Sequence, residues 1–140
     1  MELDLRLAKP LNNPVPRTYK RANPDATRLL VFDLLTEVNR SDGYSNLLLP
    51  QALTASKFDD RDKAFATELL YGTLRMQGRH DWILAQVSNR PWAEVDAGVI
   101  DVGRMALHQI HEMRVPDHAA VSASVDIARK RLGEAQGSFL

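Results

Sequence analysis

Apolar side chains recur every three or four positions along most of this chain, a spacing that predicts amphipathic α-helices. The first such segment carries Val31, Leu34, Leu35 and Val38 and stops at Asp42-Gly43. We find neither a sustained strand-like alternation nor a hairpin turn in the sequence. The predicted fold class is therefore all-α, a bundle of about six to seven helices.

Cap and turn residues divide the next part of the chain into three further helices. Ser45 is the expected N-cap of a short second helix, and Pro50 limits where that helix can start. The third helix covers residues 60–75 and is broken near Gly78. The fourth carries an apolar stripe and stops before Arg90-Pro91. The stripe expected in the fourth helix consists of Trp82, Ile83 and Val87.

The fifth segment has the longest apolar stripe, from Val99 to Met113, and its small residues Gly103 and Ala106 suit a central helix that others approach closely. Pro116 ends this segment, and Asp117 is the expected cap of a sixth helix. The stripe expected in the sixth helix consists of Val121, Ser124, Val125, Ala128 and Leu132. We therefore expect Gly103 and Pro116 to have structural roles.

The third helix holds the most informative run of the sequence, DRDKAFATELLYGTLR. Asp60 and Asp62 lie in its first turn and Arg75 near its end, where the helix dipole favours each charge. Gly72 inside the apolar stripe costs about 1 kcal/mol relative to alanine. We therefore expect a neighbouring helix to pack closely against Gly72.

Length and composition suit a single globular domain, with 140 residues, 44% hydrophobic and 26% charged. The proline-rich stretch 1–23 is interpreted as a flexible arm and residues 24–140 as the folded domain. No apolar run approaches the roughly 18 residues of a membrane span, so the expected location is the cytoplasm with no membrane partner.

The net charge is zero, with 18 basic and 18 acidic residues, but the basic residues are clustered. One cluster precedes and opens the first helix, a second follows the third helix, and a third lies near the end of the sixth. In that order they contain Arg17, Lys20, Arg21 and Arg28; Arg75, Arg79 and Arg90; and Arg129, Lys130 and Arg131. Whether these clusters form one surface is not determined by their positions in the sequence.

Catalytic and metal sites are not indicated. The chain has no cysteine, and His108 and His111 lie at i, i+3 rather than in an HExxH arrangement. Asp60 and Asp62 are explained as helix N-terminal charges, and no glycine-rich cofactor turn is present. Trp82 and Trp92 are expected to be core or boundary anchors rather than stacking platforms, although that alternative stays open.

Several motifs resemble those of one protein family. The run 60–75 resembles the RD-x-AF-x-x-EL-x-YG-x-LR signature of NusB-like domains, in the version fused to bacterial 16S rRNA (cytosine-5) methyltransferases of the Sun/Fmu/RsmB family. Residues 115–121, VPDHAAV, resemble the IP-x-HAAV element of that branch, and residues 43–50 resemble its G-x-S-N-x-L-L element. Ser122-Ala123 stand where the family often has Asn-Glu. Residues 137–140 resemble the beginning of the helix that leads to the methyltransferase domain.

The resemblance implies a non-catalytic RNA-binding domain that helps a methyltransferase hold its 16S rRNA substrate. It implies no cofactor in this chain, and S-adenosylmethionine for the methyltransferase domain of the same polypeptide, which is absent here. RNA affinity depends mainly on cations that neutralise phosphates. The expected RNA contacts are Arg17, Lys20, Arg21 and Arg28, with Arg75 and Arg79 as a second set. Two alternatives remain: a free-standing NusB transcription antitermination factor, and a helical protein-interaction module without an RNA role.

Overall fold

The computed structural model describes residues 25–41 and 43–133, and in these ranges it contains six α-helices, one short 3-10 turn (Trp92–Glu94) and no strand. The helices are α1 (Ala26–Ser41), α2 (Ser45–Ala55), α3 (Asp60–Arg75), α4 (Gln77–Val87), α5 (Ala97–His111) and α6 (Asp117–Leu132). The all-α prediction is confirmed. The expected arm, residues 1–23, and the start of a seventh helix lie outside the described residues. None of the described helices is long and apolar enough to cross a membrane.

Helix α5 is the centre of the bundle, since it packs against α1, α3, α4 and α6. Helix α1 also packs on α3, and α2 covers the side formed by these two. The apolar core draws on five of the six helices and comprises Val31, Phe32, Leu35, Leu49, Ala66, Leu69, Leu70, Val102, Met105 and Ile127. The central position of α5 agrees with its long apolar stripe.

Helix α3 has the bounds that its sequence predicts, because both ends carry strong local signals. The Asp59 side chain accepts a hydrogen bond from the Asp62 backbone N–H at 2.8 Å, which caps the first turn. Gly72 is buried where α5 approaches. A Cβ at Gly72 would lie 2.6 Å from Glu68 Oε2 and closer still to His108 Nε2. Helix α5 therefore packs closely against Gly72 as expected, and His108 is its residue at the contact.

A polar network joins α1, α4 and α5 beside the apolar core. The Arg104 guanidinium donates two hydrogen bonds to Asp81, at 2.6 and 2.7 Å, and one to Asp101 at 2.8 Å. Asn39 donates to the same Asp101 oxygen at 2.9 Å. Burial raises the pKa of Asp101, against the opposing charge of Arg104. Arg104 is therefore the cation that allows a carboxylate inside the bundle.

The apolar stripe predicted for α4 is wrong at Trp82 and Val87, while Ile83 is half-buried. Trp82 and Val87 are 67% and 76% exposed, although we expected both to pack. Helix α4 instead faces α5 through His80, which is buried, and Leu84, which touches Gly103 of α5. No described element covers the other face of α4. Trp92 is half-buried and lies at a boundary as expected. The predicted break near Gly78 falls at Met76, and Gly78 lies in the first turn of α4.

The packed face of α6 agrees with the predicted one only in part. Ser124 and Ala128 are buried as expected, but Val121 is 46% exposed, and Ala120 and Ile127 are buried instead. Small side chains face α5 here because the two helices run close together. Pro116, not Asp117, is the N-cap residue, and its carbonyl accepts from the N–H groups of Ala119 and Ala120.

Helix α2 also begins one residue earlier than its sequence suggests. Tyr44 is the N-cap, because its carbonyl already accepts hydrogen bonds from Leu47 and Leu48. Pro50 lies in the interior of α2 rather than at its start. It is exposed, so water can reach the carbonyl that proline leaves without a helical donor.

Candidate nucleic-acid interface

An open cavity of about 490 Å³ lies where α1 and α3 begin, and we call it the α1–α3 pocket. Its walls combine two aromatic rings, two cations and two carboxylates, contributed by Phe58, Phe65, Arg28, Arg61, Asp25 and Asp62. Unpaired RNA bases stack on aromatic rings and on guanidinium planes, and their phosphates bind cations. The pocket therefore has the side-chain types that a single-stranded nucleotide requires.

Arg28, one of the expected phosphate contacts, is largely engaged inside the protein. Its Nε donates to Gln109 Oε1 at 2.6 Å, and its Nη1 donates to Asp25 Oδ2 at 2.7 Å. Its guanidinium carbon lies 4.8 Å from the centre of the Phe65 ring, and the side chain is 18% exposed. Arg28 thus links the start of α1 to α3 and α5. Only a small part of its guanidinium group remains accessible to RNA.

Arg61, in the first turn of α3, is the uncommitted cation of the α1–α3 pocket. Its side chain is exposed and makes no hydrogen bond or ion pair with any residue that the structure describes. Sequence reasoning missed it because acidic residues flank it on both sides. One acidic residue nearby, Asp59, is occupied as the helix cap. The signal that the sequence offered for this cation was the position of Arg61 itself, in the first turn of α3.

Arg17, Lys20 and Arg21 lie outside the described residues, so their expected RNA contacts stay predictions. The segment that carries them joins the described part of the chain at Asp25, on the wall of the α1–α3 pocket.

Arg75 lies at the opposite end of α3, and Arg79 lies in the first turn of α4. Arg75 Nη2 is 3.7 Å from Glu68 Oε2, and Arg79 Nη1 is 3.2 Å from Glu112 Oε2. Both side chains remain more than half exposed, and exposed ion pairs of this kind contribute about 0–1 kcal/mol, so a phosphate can replace the carboxylate. At 1.5 Å per residue, Arg61 and Arg75 are about 21 Å apart along α3. Arg75 is therefore far from the α1–α3 pocket, which contains Arg28 and Arg61.

The third basic cluster is partly used for packing. Arg131 makes two hydrogen bonds to the Asp33 carboxylate, at 2.9 and 2.7 Å, which join α6 to α1. These hydrogen bonds raise the pKa of Arg131 further. Lys130 is exposed. The cluster thus offers RNA fewer free cations than its sequence suggests.

Two buried histidines connect α3, α4 and α5. His80 Nε2 lies 3.2 Å from His108 Nδ1, and His108 Nε2 lies 3.1 Å from Glu68 Oε2. Burial and the neighbouring His108 lower the pKa of His80 to about 4, so His80 is neutral at pH 7. The described residues contain no group of three or more side chains able to hold a metal ion. We assign this pair to the packing of the three helices.

The chain belongs to the NusB family, whose sequence model matches residues 25–140. It is 35% identical over 91% of its length to a Mycobacterium tuberculosis protein whose name describes a methyltransferase, and covers 28% of that protein. It is 31% identical over 82% of its length to a Bacillus subtilis protein named as ribosomal RNA small subunit methyltransferase B, and covers 26% of it.

The chain is also 38% identical, over 74% of its length, to a Thermus thermophilus protein named ribosomal RNA small subunit methyltransferase B. It covers 25% of that protein. The chain thus spans about a quarter of the length of the relatives it matches. No solved structure matches it.

Proposed function

We propose that this chain is the RNA-binding domain of a 16S rRNA (cytosine-5) methyltransferase and contributes no catalytic residue itself. The names of its relatives favour this role over a free-standing antitermination factor. The methyl donor, S-adenosylmethionine, would be bound by the part of the polypeptide beyond this chain, and the modification of ribosomal RNA would take place in the cytoplasm.

The observation that supports RNA binding most directly is the composition of the α1–α3 pocket. Arg61 is a cation without a partner among the described residues, and Phe58 and Phe65 lie beside it. Arg28 is held against Phe65, so its position is set before any RNA arrives. Preorganised cations and rings lose little conformational entropy when they bind. We infer that this pocket receives an unpaired nucleotide of the rRNA, with its phosphate on Arg61.

The test compares two substitutions that remove the same charge. We expect Arg61→Gln to lower the affinity for 16S rRNA fragments and to reduce the slope of log K against log salt by about one, as loss of one phosphate contact does. Arg40→Gln is the matched control, because Arg40 is exposed at the far end of α1. Filter binding over a salt series measures both.

Equal effects of the two substitutions would show that the α1–α3 pocket is not the RNA site. Absence of RNA binding even at low salt would favour a protein-interaction module. The methyltransferase part of the proposal has a separate test, which is methyl transfer from S-adenosylmethionine to 16S rRNA by the full-length protein.

A further inference from the structure

A large aromatic side chain is exposed near the second pair of arginines. Trp82 of α4 is 67% exposed, although tryptophan is usually well buried on average. It follows Arg79 by three residues in the same helix, so the two side chains lie on one face. The ring is therefore next to an exposed cation rather than in the apolar core.

Arg75 belongs to the same region although it lies in α3. It pairs with Glu68, which also contacts His108, while Arg79 pairs with Glu112. His108 and Glu112 are one helical turn apart at the end of α5, so both arginines pair with carboxylates that lie near the end of that helix. We call the surface formed by Arg75, Arg79 and Trp82 the α4 face.

The surface of α4 one turn before Trp82 is open. Gly78 lies four residues before Trp82, on the same side of the helix, and no atom lies within 4 Å of the position that a Cβ at Gly78 would take. This open surface and the 67% exposure of Trp82 leave room for a planar group beside α4.

We propose that Trp82 is a stacking platform for an unpaired base of single-stranded RNA, and that Arg79 and Arg75 hold the adjacent phosphates. This inference rests on the proposed RNA-binding function and gives it a second contact, about 20 Å from the α1–α3 pocket. An aromatic ring beside arginines is typical of surfaces that bind single strands.

The experiment uses the fluorescence of Trp82. The chain has two tryptophans, and Trp92→Phe leaves Trp82 as the single emitter. On titration with an rRNA hairpin that has an unpaired loop, base stacking is expected to quench the Trp82 emission. Trp82→Leu, which removes the aromatic ring from an exposed site, is expected to lower the affinity about tenfold, whereas Trp82→Phe retains most of it.

Val87→Ser is the matched control, since Val87 is equally exposed on α4 but lies on the groove toward Trp92 and Val99. Its RNA affinity is expected to stay within about twofold of the parent. RNA binding without quenching, or equal losses in Trp82→Leu and Val87→Ser, overturns the assignment of Trp82 and leaves the proposed function standing. No RNA binding at low salt overturns both.

A second experiment tests whether another part of the same polypeptide covers the α4 face. In the full-length polypeptide without RNA, hydroxyl-radical labelling of Trp82, read by mass spectrometry, is expected to equal that in the 140-residue chain. Tyr44, the N-cap residue of α2, is 71% exposed and serves as the reference residue. Selective protection of Trp82 in the longer protein would mean that another domain covers it, and the stacking assignment would fail.

Discussion

Gly72 and Gly78 lie six residues apart, and their surroundings are opposite. A Cβ at Gly72 would overlap with the buried His108 ring and the Glu68 carboxylate, whereas a Cβ at Gly78 would meet no atom within 4 Å. Sequence reasoning placed Gly72 at a close helix contact because glycine there has a cost in helix propensity. It gave no such role to Gly78, which it treated as a helix break.

The same substitution is therefore expected to have opposite effects at these two positions. Gly72→Ala should destabilise the protein by about 1–3 kcal/mol, because His108 is enclosed and cannot move away. Gly78→Ala should stabilise it by about 0.4–1 kcal/mol, because alanine restricts the unfolded chain. Chemical denaturation of both variants measures the free energies of unfolding. A Gly72→Ala variant as stable as the parent would contradict the close contact between Gly72 and the His108 ring, and a destabilised Gly78→Ala variant would contradict the open space at Gly78.

Stability should depend on pH through His80. Burial and His108 lower the pKa of His80 from 6.5 to about 4, with Arg79 and His111 acting in the same direction and Glu112 against it. The unfolded chain therefore binds a proton between these pH values while the folded chain does not. The stabilisation is fully present above pH 6.5 and is lost as the pH falls through 4, by about 3 kcal/mol at 1.36 kcal/mol per pKa unit.

The measurement compares the parent with His80→Gln, which has a similar size but cannot take up a proton. The free energy of unfolding of each protein is determined from pH 7 to pH 4. The difference between the two should shrink as the pH falls, because the parent alone loses the contribution of His80. A constant difference over this range would mean that burial does not perturb the titration of His80.

At the level of helices, Arg104 of α5 holds α4 in place through its hydrogen bonds to Asp81. Its hydrogen bonds to Asp81 cross between the two helices, while the bond to Asp101 neutralises a buried charge. Helix α4 contributes few apolar contacts of its own, since Trp82 and Val87 face outward. The ion pair between Arg104 and Asp81 therefore provides part of the attachment to α5 that we expected from an apolar stripe on α4.

Removing this cation should be costly. We expect Arg104→Met to destabilise the protein by about 3–5 kcal/mol, because Asp101 is then buried without its ionic partner. The double substitution Arg104→Met with Asp101→Leu should recover much of that loss, since no buried charge remains. Urea denaturation of the single and double variants tests this. A double variant no more stable than the single one would show that Asp101 is not the cause.

At the level of the whole molecule, two candidate RNA contact regions lie at opposite ends of α3. The α1–α3 pocket contains Arg28 and Arg61, and the α4 face contains Arg75, Arg79 and Trp82. Asp59, Asp81 and Asp101 have structural partners away from these two regions, Asp59 as a cap and the other two around Arg104. Other carboxylates lie in the two regions themselves, so the cations there that are exposed, Arg61, Arg75 and Arg79, are the ones on which the proposed RNA contacts depend.

The sequence alone determined the helices and the fold class of this protein. Periodicity and caps are local properties, so α1 and α3 end where Asp42-Gly43 and the residues around Arg75 indicate. The central place of α5 was also predicted, from the small residues Gly103 and Ala106 in its apolar stripe. These features depend on residues within a few positions of one another, which is the distance over which sequence patterns are informative.

Only the tertiary structure decided which side chains are free to act. Arg28 is engaged because Gln109, 81 residues later, lies beside it, and His80 is buried against His108, 28 residues later. Trp82 is exposed because no described element covers its side of α4. An apolar period shows that a helix has a face to bury but not which neighbour will cover it. The availability of cations and rings is therefore a property of contacts between residues far apart in the chain.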